Sequence, residues 1–145
     1  MSRVVIRLEV RKKIMKPVCL IIGAGAGIGG SVGRHFAANG YHSVLCRRTN
    51  QRGLEHIVNS IHDEGGDATG YLLNAIEPGR LEETISKVEA ELGAIEVLVY
   101  NLGAQIGDRA LSQTSYKAFE RCWQMATFGL FRVASVLCPC MEKRA

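Results

Sequence analysis

The sequence predicts a doubly wound α/β fold around a parallel sheet, and three observations carry that prediction. Short apolar runs alternate with helix-period patterns from Val18 to Tyr100. The first run, Val18 to Ile22, is continuously apolar, as a strand covered on both faces requires. A glycine-rich turn, Gly23-Ala-Gly-Ala-Gly-Ile-Gly29, then joins that run to the first helical pattern.

Residues 1–16 precede this rhythm and read three ways. Val4, Ile6, Leu8 and Val10 alternate like an edge strand, while Arg3, Arg7 and Arg11 recur at helical spacing, as in a basic amphipathic targeting segment. Met15-Lys16-Pro17 also resembles a natural beginning, which would make 1–16 a non-native basic extension. A mitochondrial presequence is Arg-rich and acid-poor like this stretch, but is usually Ser-rich as well.

From Pro17 the elements follow in order. Val18 to Ile22 is the first strand. Ile28, Val32 and Phe36 recur every four residues as the expected buried stripe of a first helix, stopped by Asn39-Gly40. His42 to Cys46 makes a second strand, and Leu54, Ile57, Val58 and Ile61 line a second helix that stops at Gly65-Gly66. Ala68 to Leu73 is a third strand. Pro78 is expected to open a third helix with Leu81, Ile85, Val88 and Leu92 as its stripe, ending at Gly93. Ile95 to Tyr100 is a fourth strand. After a polar loop, Thr114 to Arg144 reads as one long helix or two, with Phe119, Trp123, Ala126, Leu130, Val133 and Leu137 on one broad face and Pro139 as a kink or end. Right-handed crossovers then give the strand order 3-2-1-4, with a ligand expected at the switch point beside strand one.

Composition narrows the partners. A chain of 145 residues with 47% hydrophobic and 22% charged residues is an ordinary globular candidate of one domain. No uninterrupted apolar run reaches the roughly 18 residues of a membrane span, so no membrane anchor is expected. The net charge of +4 comes from the first 16 residues, where six basic residues face one acid; the remainder is slightly acidic and gives no reason to expect nucleic-acid binding. The five cysteines, Cys19, Cys46, Cys122, Cys138 and Cys140, are scattered without metal-ligand spacing, as in reduced cytoplasmic proteins. His35, His42, His56 and His62 are spread along the chain and read as surface or packing residues, so no metal site is expected.

The glycine turn is a phosphate cradle in physical terms. The first N–H groups of a helix lack intrahelical partners and carry partial positive charge, and glycines let an anion approach them closely. Two registers compete: Gly25, Gly27 and Gly30 match Gly-x-Gly-x-x-Gly, but the register Gly23-x-x-x-Gly27-x-Gly29 begins at the strand end and is preferred.

Together these residues resemble the short-chain dehydrogenase/reductase family, whose usual marks are Thr-Gly-x-x-x-Gly-x-Gly after strand one and Asn-Asn-Ala-Gly after strand four. Here they read Ile22-Gly23-x-x-x-Gly27-Ile28-Gly29 and Tyr100-Asn101-Leu102-Gly103. The resemblance runs from about Pro17 onward and implies a Rossmann-like NAD(P)-binding domain over residues 17–145. It implies that Gly23, Gly25, Ala26, Gly27, Ile28 and Gly29 surround the pyrophosphate and that Asn101, Leu102 and Gly103 complete the cofactor crevice. Asn74-Ala75 stands where the family commonly has Asp and a small apolar residue that hold the adenine. At the end of strand two, NAD-dependent members place an acid, which would repel a 2′-phosphate. This chain has Arg47 and Arg48 there, two guanidiniums able to pair a phosphate. NADP(H) is therefore the expected cofactor, with NAD(H) possible; if these arginines are merely solvated, the preference stays open.

The family's catalytic Tyr-x-x-x-Lys is absent from the sequence: Tyr41, Tyr71, Tyr100 and Tyr116 are followed four residues later by Leu45, Ala75, Ala104 and Glu120. The helix Asn of many members aligns with Ala126. Asp108 and Arg109 fall near the expected crevice mouth, as substrate contacts or a loop ion pair. The expected function is thus that of a cofactor-binding half of an oxidoreductase passing hydride between nicotinamide and a carbonyl or alcohol, truncated before its catalytic residues and inactive alone, with self-association through the long helix. The alternative is a non-catalytic nucleotide-binding or protein-interaction short form. A flavin on the same turn is disfavoured by the family-like spacing to Asn101 and Gly103.

Overall fold

The computed structural model describes residues 16–103 and 110–145. The basic segment before Lys16, together with Asp108 and Arg109, lies outside the described residues. Val18–Ile22 (β1), His42–Arg47 (β2), Asp67–Leu72 (β3) and Ile95–Tyr100 (β4) form a parallel sheet in the order β3-β2-β1-β4. That is the order expected from the alternation of strands and helices. All five residues of β1 are buried, because it has a neighbour on each side and a helical layer on each face.

Successive residues of β1 feed opposite layers. Val18, Leu20 and Ile22 join Val44 and Cys46 beneath Arg80–Glu91 (α3), which contributes Leu81, Ile85 and Val88. Cys19 and Ile21 join Leu45 beneath Ile28–Ala38 (α1) and Gln51–Asp63 (α2), where Leu54, Ile57 and Ile61 are buried. Each of these aliphatic side chains contributes about 1.5–3 kcal/mol by its removal from water. Burial pushes the Cys19 and Cys46 thiols up to about 12, so both are neutral packing groups.

Three expectations are corrected. Pro78 does not open α3; it lies in the preceding turn, and Gly79, at φ +76°, redirects the chain before the helix begins at Arg80. The inner face of α1 is centred on Gly29, Gly30, Gly33 and Ala37; of the expected stripe, Val32 and Phe36 pack half-buried against the core at its flank, whereas Ile28 is 71% exposed. The reason is distance: a β-carbon at Gly33 would lie 2.6 Å from Leu45 Cδ2, so α1 sits too near the sheet for larger residues. Ser43, fully buried on β2, donates its hydroxyl to the Gly33 carbonyl at 2.7 Å and fixes that approach.

The third correction concerns the long helix. Tyr116–Trp123 (α4) passes through a π-helical turn, Gln124–Phe128, into Gly129–Glu142 (α5). Pro139 does not end it, since proline's φ suits a helix and it removes a single backbone bond near the terminus. Val133 and Leu137 are buried as expected, but Phe119 is 65% exposed, and Trp123 and Leu130 also face outward. Taken as one run of 27 residues, Tyr116–Glu142 is long and apolar enough by composition to cross a membrane, which a count of uninterrupted apolar residues misses. Its stripe Gly129, Val133 and Leu137 packs against the domain, while only 17% of the most apolar 18-residue window is buried.

The glycines of the turn should separate cleanly in stability. A β-carbon at residue 29 would overlap the Gly23 carbonyl oxygen, whereas nothing lies within 4 Å of one at residue 27. Gly29→Ala should therefore lower stability by about 1–3 kcal/mol in urea denaturation, and Gly27→Ala, which only replaces a favourable N-cap residue, should cost less, about 0.5 kcal/mol.

Candidate cofactor-binding cleft

Beyond their last residues the four strands stay tied together. The Gly23 and Ala24 N–H groups donate to the Cys46 carbonyl at 2.9 and 2.8 Å, Leu73 N–H to the Arg47 carbonyl at 2.8 Å, and Asn101 N–H to the Ile22 carbonyl at 2.8 Å. These bonds bring the glycine turn, Arg47-Arg48, Asn74-Ala75 and Asn101-Leu102-Gly103 to one edge of the sheet.

Within the turn the glycines divide into two kinds. Gly23 has φ +98°, and a β-carbon there would lie 2.6 Å from the Asn101 carbonyl oxygen. The Asn101 side-chain amide donates to the Gly23 carbonyl at 3.1 Å, so turn and β4 grip each other. Gly23 and Gly29 are thus required by close packing. Gly25 and Gly27 have nothing within 4 Å of the β-carbon position and leave the backbone open to an approaching group. No side chain caps α1 and no acid stands in its first turn, so its positive end faces that opening uncompensated.

Below the turn lies a cleft of about 540 Å³ lined by Gly23, Gly25, Arg47, Arg48, Asn74, Ala75, Asn101, Leu102 and Gly103, with Thr49, Leu73 and Ile76 beside them. Ala26, Gly27, Ile28 and Gly29 are outside its lining, at the mouth of α1. The far wall comes from α4 and the π-helical turn after it: Ala118, Arg121, Cys122 and Met125, at helical spacing, turn one face into the cleft. This face is offset by one position from the expected Phe119, Trp123 and Ala126. Thr49, Arg121 and Cys122 were not singled out from the sequence; neither the motifs nor the apolar pattern marks them. Among the described residues no Asp or Glu lines the cleft.

Behind the cleft an arginine holds the wall in place. Arg132 donates through Nε and a terminal nitrogen to both Glu82 carboxylate oxygens at 2.9 and 2.6 Å, and its guanidinium also bonds the Ala75 and Glu77 carbonyls. The hydrogen bond from Arg132 holds the Glu82 carboxyl below the usual range. The Asn74 amide donates to Glu77 at 3.0 Å, so the segment after β3 is braced at several atoms. A lone arginine in the apolar stretch from Gly129 to Cys140 is the sequence signal that could have found it.

Tyr100 ends β4 and donates its hydroxyl to the Met125 carbonyl in the π-helical turn. Any side chain at Gly129 would collide with that hydroxyl. Burial pushes the Tyr100 phenol up, opposite to the shift a proton-trading tyrosine needs. His42 bonds Thr69 and His62 bonds the Ala68 backbone, which places both histidines in packing roles away from the cleft.

The Glu82–Arg132 pair gives a pH signature. Because the folded-state Glu82 carboxyl titrates lower than in the unfolded chain, its contribution is present above about pH 4.3 and is lost as pH falls through the folded value. Glu82→Gln should cost about 1 kcal/mol at pH 7, since the pair is partly solvated. The gap between wild type and variant in urea denaturation should close on acidification below pH 4.

A family model described as short chain dehydrogenase matches residues 17–145. The chain is 31% identical over 136 residues to a fatty acyl-CoA reductase of Acinetobacter baylyi, covering 92% of this chain and 45% of that protein. It is 29% identical over 127 residues to a 3-oxoacyl-[acyl-carrier-protein] reductase of Thermotoga maritima, covering 88% and 51%. It thus spans about half the length of these curated relatives. Among solved structures, an actinorhodin polyketide ketoreductase variant with NADPH matches with a TM-score of 0.76 at 25% identity, covering 83% of this chain and 46% of that one. A metagenomic short-chain oxidoreductase in complex with NADP shares the fold with a TM-score of 0.83 at 21% identity, covering 88% and 57%. By the family match across β1 to α5, the chain belongs to the short-chain dehydrogenase family.

Proposed function

We propose that this chain is the NADP(H)-holding part of a short-chain oxidoreductase that exchanges hydride with a carbonyl or alcohol carbon. The observation that carries the reading is the pairing of an open glycine backbone with a cleft whose described charged side chains are all arginines. A cleft of about 540 Å³ is within the usual range for a cofactor site, roughly 300–1,000 Å³. When bound, the dinucleotide would supply the hydride.

The chain's own residues bind and orient. Backbone N–H groups from Ala26, Gly27, Ile28 and Gly29 face the pyrophosphate, with the positive end of α1 behind them, while Gly25, whose own N–H donates to the Gly23 carbonyl, leaves the backbone open to its approach. Arg47 and Arg48 take the 2′-phosphate by charge-assisted hydrogen bonds. Asn74 and Ala75 border the adenine, and Asn101, Leu102 and Gly103 close the ribose side of the crevice. Within the sequence no Tyr-x-x-x-Lys pair is present to hand a proton to substrate oxygen, so these residues account for binding and not for turnover. The reductase names of the relatives support carbonyl reduction as the reaction of a complete protein.

A second reading, a non-catalytic nucleotide-binding or interaction protein, is favoured by one observation. Trp123, Phe128 and Phe131 stack in series on the outer face of the long helix, at centroid distances of 5.1 and 6.4 Å, and all three are exposed. An apolar aromatic face of this kind pairs with something, and self-association through it fits either reading; sedimentation at increasing concentration measures it.

Calorimetric titration of the chain with NADPH and NADH tests the cofactor assignment. NADPH should bind at least tenfold tighter, and replacing Arg47 and Arg48 by Gln should remove that preference while sparing NADH, because each lost charged hydrogen bond costs about 1.5–3 kcal/mol. Equal affinity for the two cofactors would remove the NADP(H) preference and the role of Arg47 and Arg48 in it, and no binding by the folded chain would favour the interaction reading.

A further inference from the structure

We propose that Arg121, on α4, caps the adenine ring of the bound dinucleotide; the inference rests on the cofactor reading above and adds a residue that the family motifs do not mark. The cleft has two chemically distinct ends. Arg47, Arg48 and Thr49 gather at the end of β2, whereas the apolar portion is built from Leu73, Ala75, Ile76, Ala118, Cys122 and Met125. A flat, largely apolar base belongs between the latter walls, and the phosphate with the former.

The two walls of the apolar portion belong to one braced unit. Arg132 ties the helix that follows α4 to the Ala75 and Glu77 carbonyls, fixing the helical run against the segment after β3. Arg121 stands on the α4 face that includes Ala118 and Cys122 and that Met125 continues in the π-helical turn. Unlike Arg80, Arg132 and Arg144, its guanidinium has no ion pair or side-chain hydrogen bond among the described residues. A planar, weakly hydrated guanidinium stacks on an aromatic face, and here it is free to do so without breaking an existing contact.

The contact is to the base, so it is common to both dinucleotides and separable from the phosphate contacts of Arg47 and Arg48. Arg121→Gln should weaken NADPH, NADH and 5′-AMP by a similar factor, about five- to tenfold, and leave nicotinamide mononucleotide unchanged. Arg121→Lys, which keeps the charge but loses the plane, should recover only part of the affinity. Arg121 is exposed and makes no side-chain hydrogen bond or ion pair among the described residues, so an unchanged thermal melt should accompany the loss. Unaltered affinity for all four ligands in Arg121→Gln would overturn the cap while leaving the cofactor reading intact. A loss confined to NADPH would also overturn it, by making Arg121 a phosphate ligand. Failure of the folded wild-type chain to bind either dinucleotide would overturn both.

Discussion

At Gly23 the end of β1, the end of β4 and the start of α1 meet backbone to backbone, and the rest of the structure depends on that contact. The Gly23 carbonyl accepts a hydrogen bond from the Asn101 amide and lies where a methyl on residue 29 would have to go. A β-carbon on Gly23 itself would strike the Asn101 backbone. Three elements far apart in sequence are therefore held at a spacing that only main-chain atoms can occupy. Because the turn is drawn down against β4, its remaining glycines project past the strand ends and face open space. The cradle is a by-product of tight packing beneath it.

The cleft inherits its chemistry from the elements so fixed. Bonds from the turn to Cys46, from Leu73 to Arg47 and from Asn101 to Ile22 carry the ladder of the sheet one step beyond its strands, which places arginines beside the glycines. The opposite wall is a helix, and it is set by two polar anchors. Tyr100 reaches the carbonyl exposed in the π-helical turn, and Arg132 reaches around to the backbone after β3. Both anchors join the long helix to segments that line the cleft. The aromatic ladder on the other side of that helix is left to solvent or to a partner.

Much of this was legible in the sequence, for identifiable reasons. The strands were readable because burial on both faces forces continuous apolar runs, and the Val18 to Ile22 run is the clearest instance. The glycine turn was readable because a tight backbone approach admits few residue types. Helix faces were read less well, since hydropathy assumes that the most apolar side is inside. In α1 the constraint is proximity, so Gly29, Gly30 and Gly33 face the sheet and Ile28 faces water. In α4 the larger aromatics lie outside, which shifted the assigned face by one position and concealed Arg121. Arg132 had a readable signal, a single charge in an apolar helix, but its partners lie on α3 and in the segment after β3, and no spacing predicts them.

The central claim is that the glycine turn and the strand ends, rather than the exposed helix face, receive the cofactor. Backbone amide shifts of nitrogen-15-labelled protein during titration with NADP+ test it most directly. The account predicts the largest shifts at Gly25, Gly27, Ile28 and Gly29, with further shifts at Arg48, Asn74 and Gly103. Shifts confined to Trp123, Phe128 and Phe131, with the turn unmoved, would contradict it.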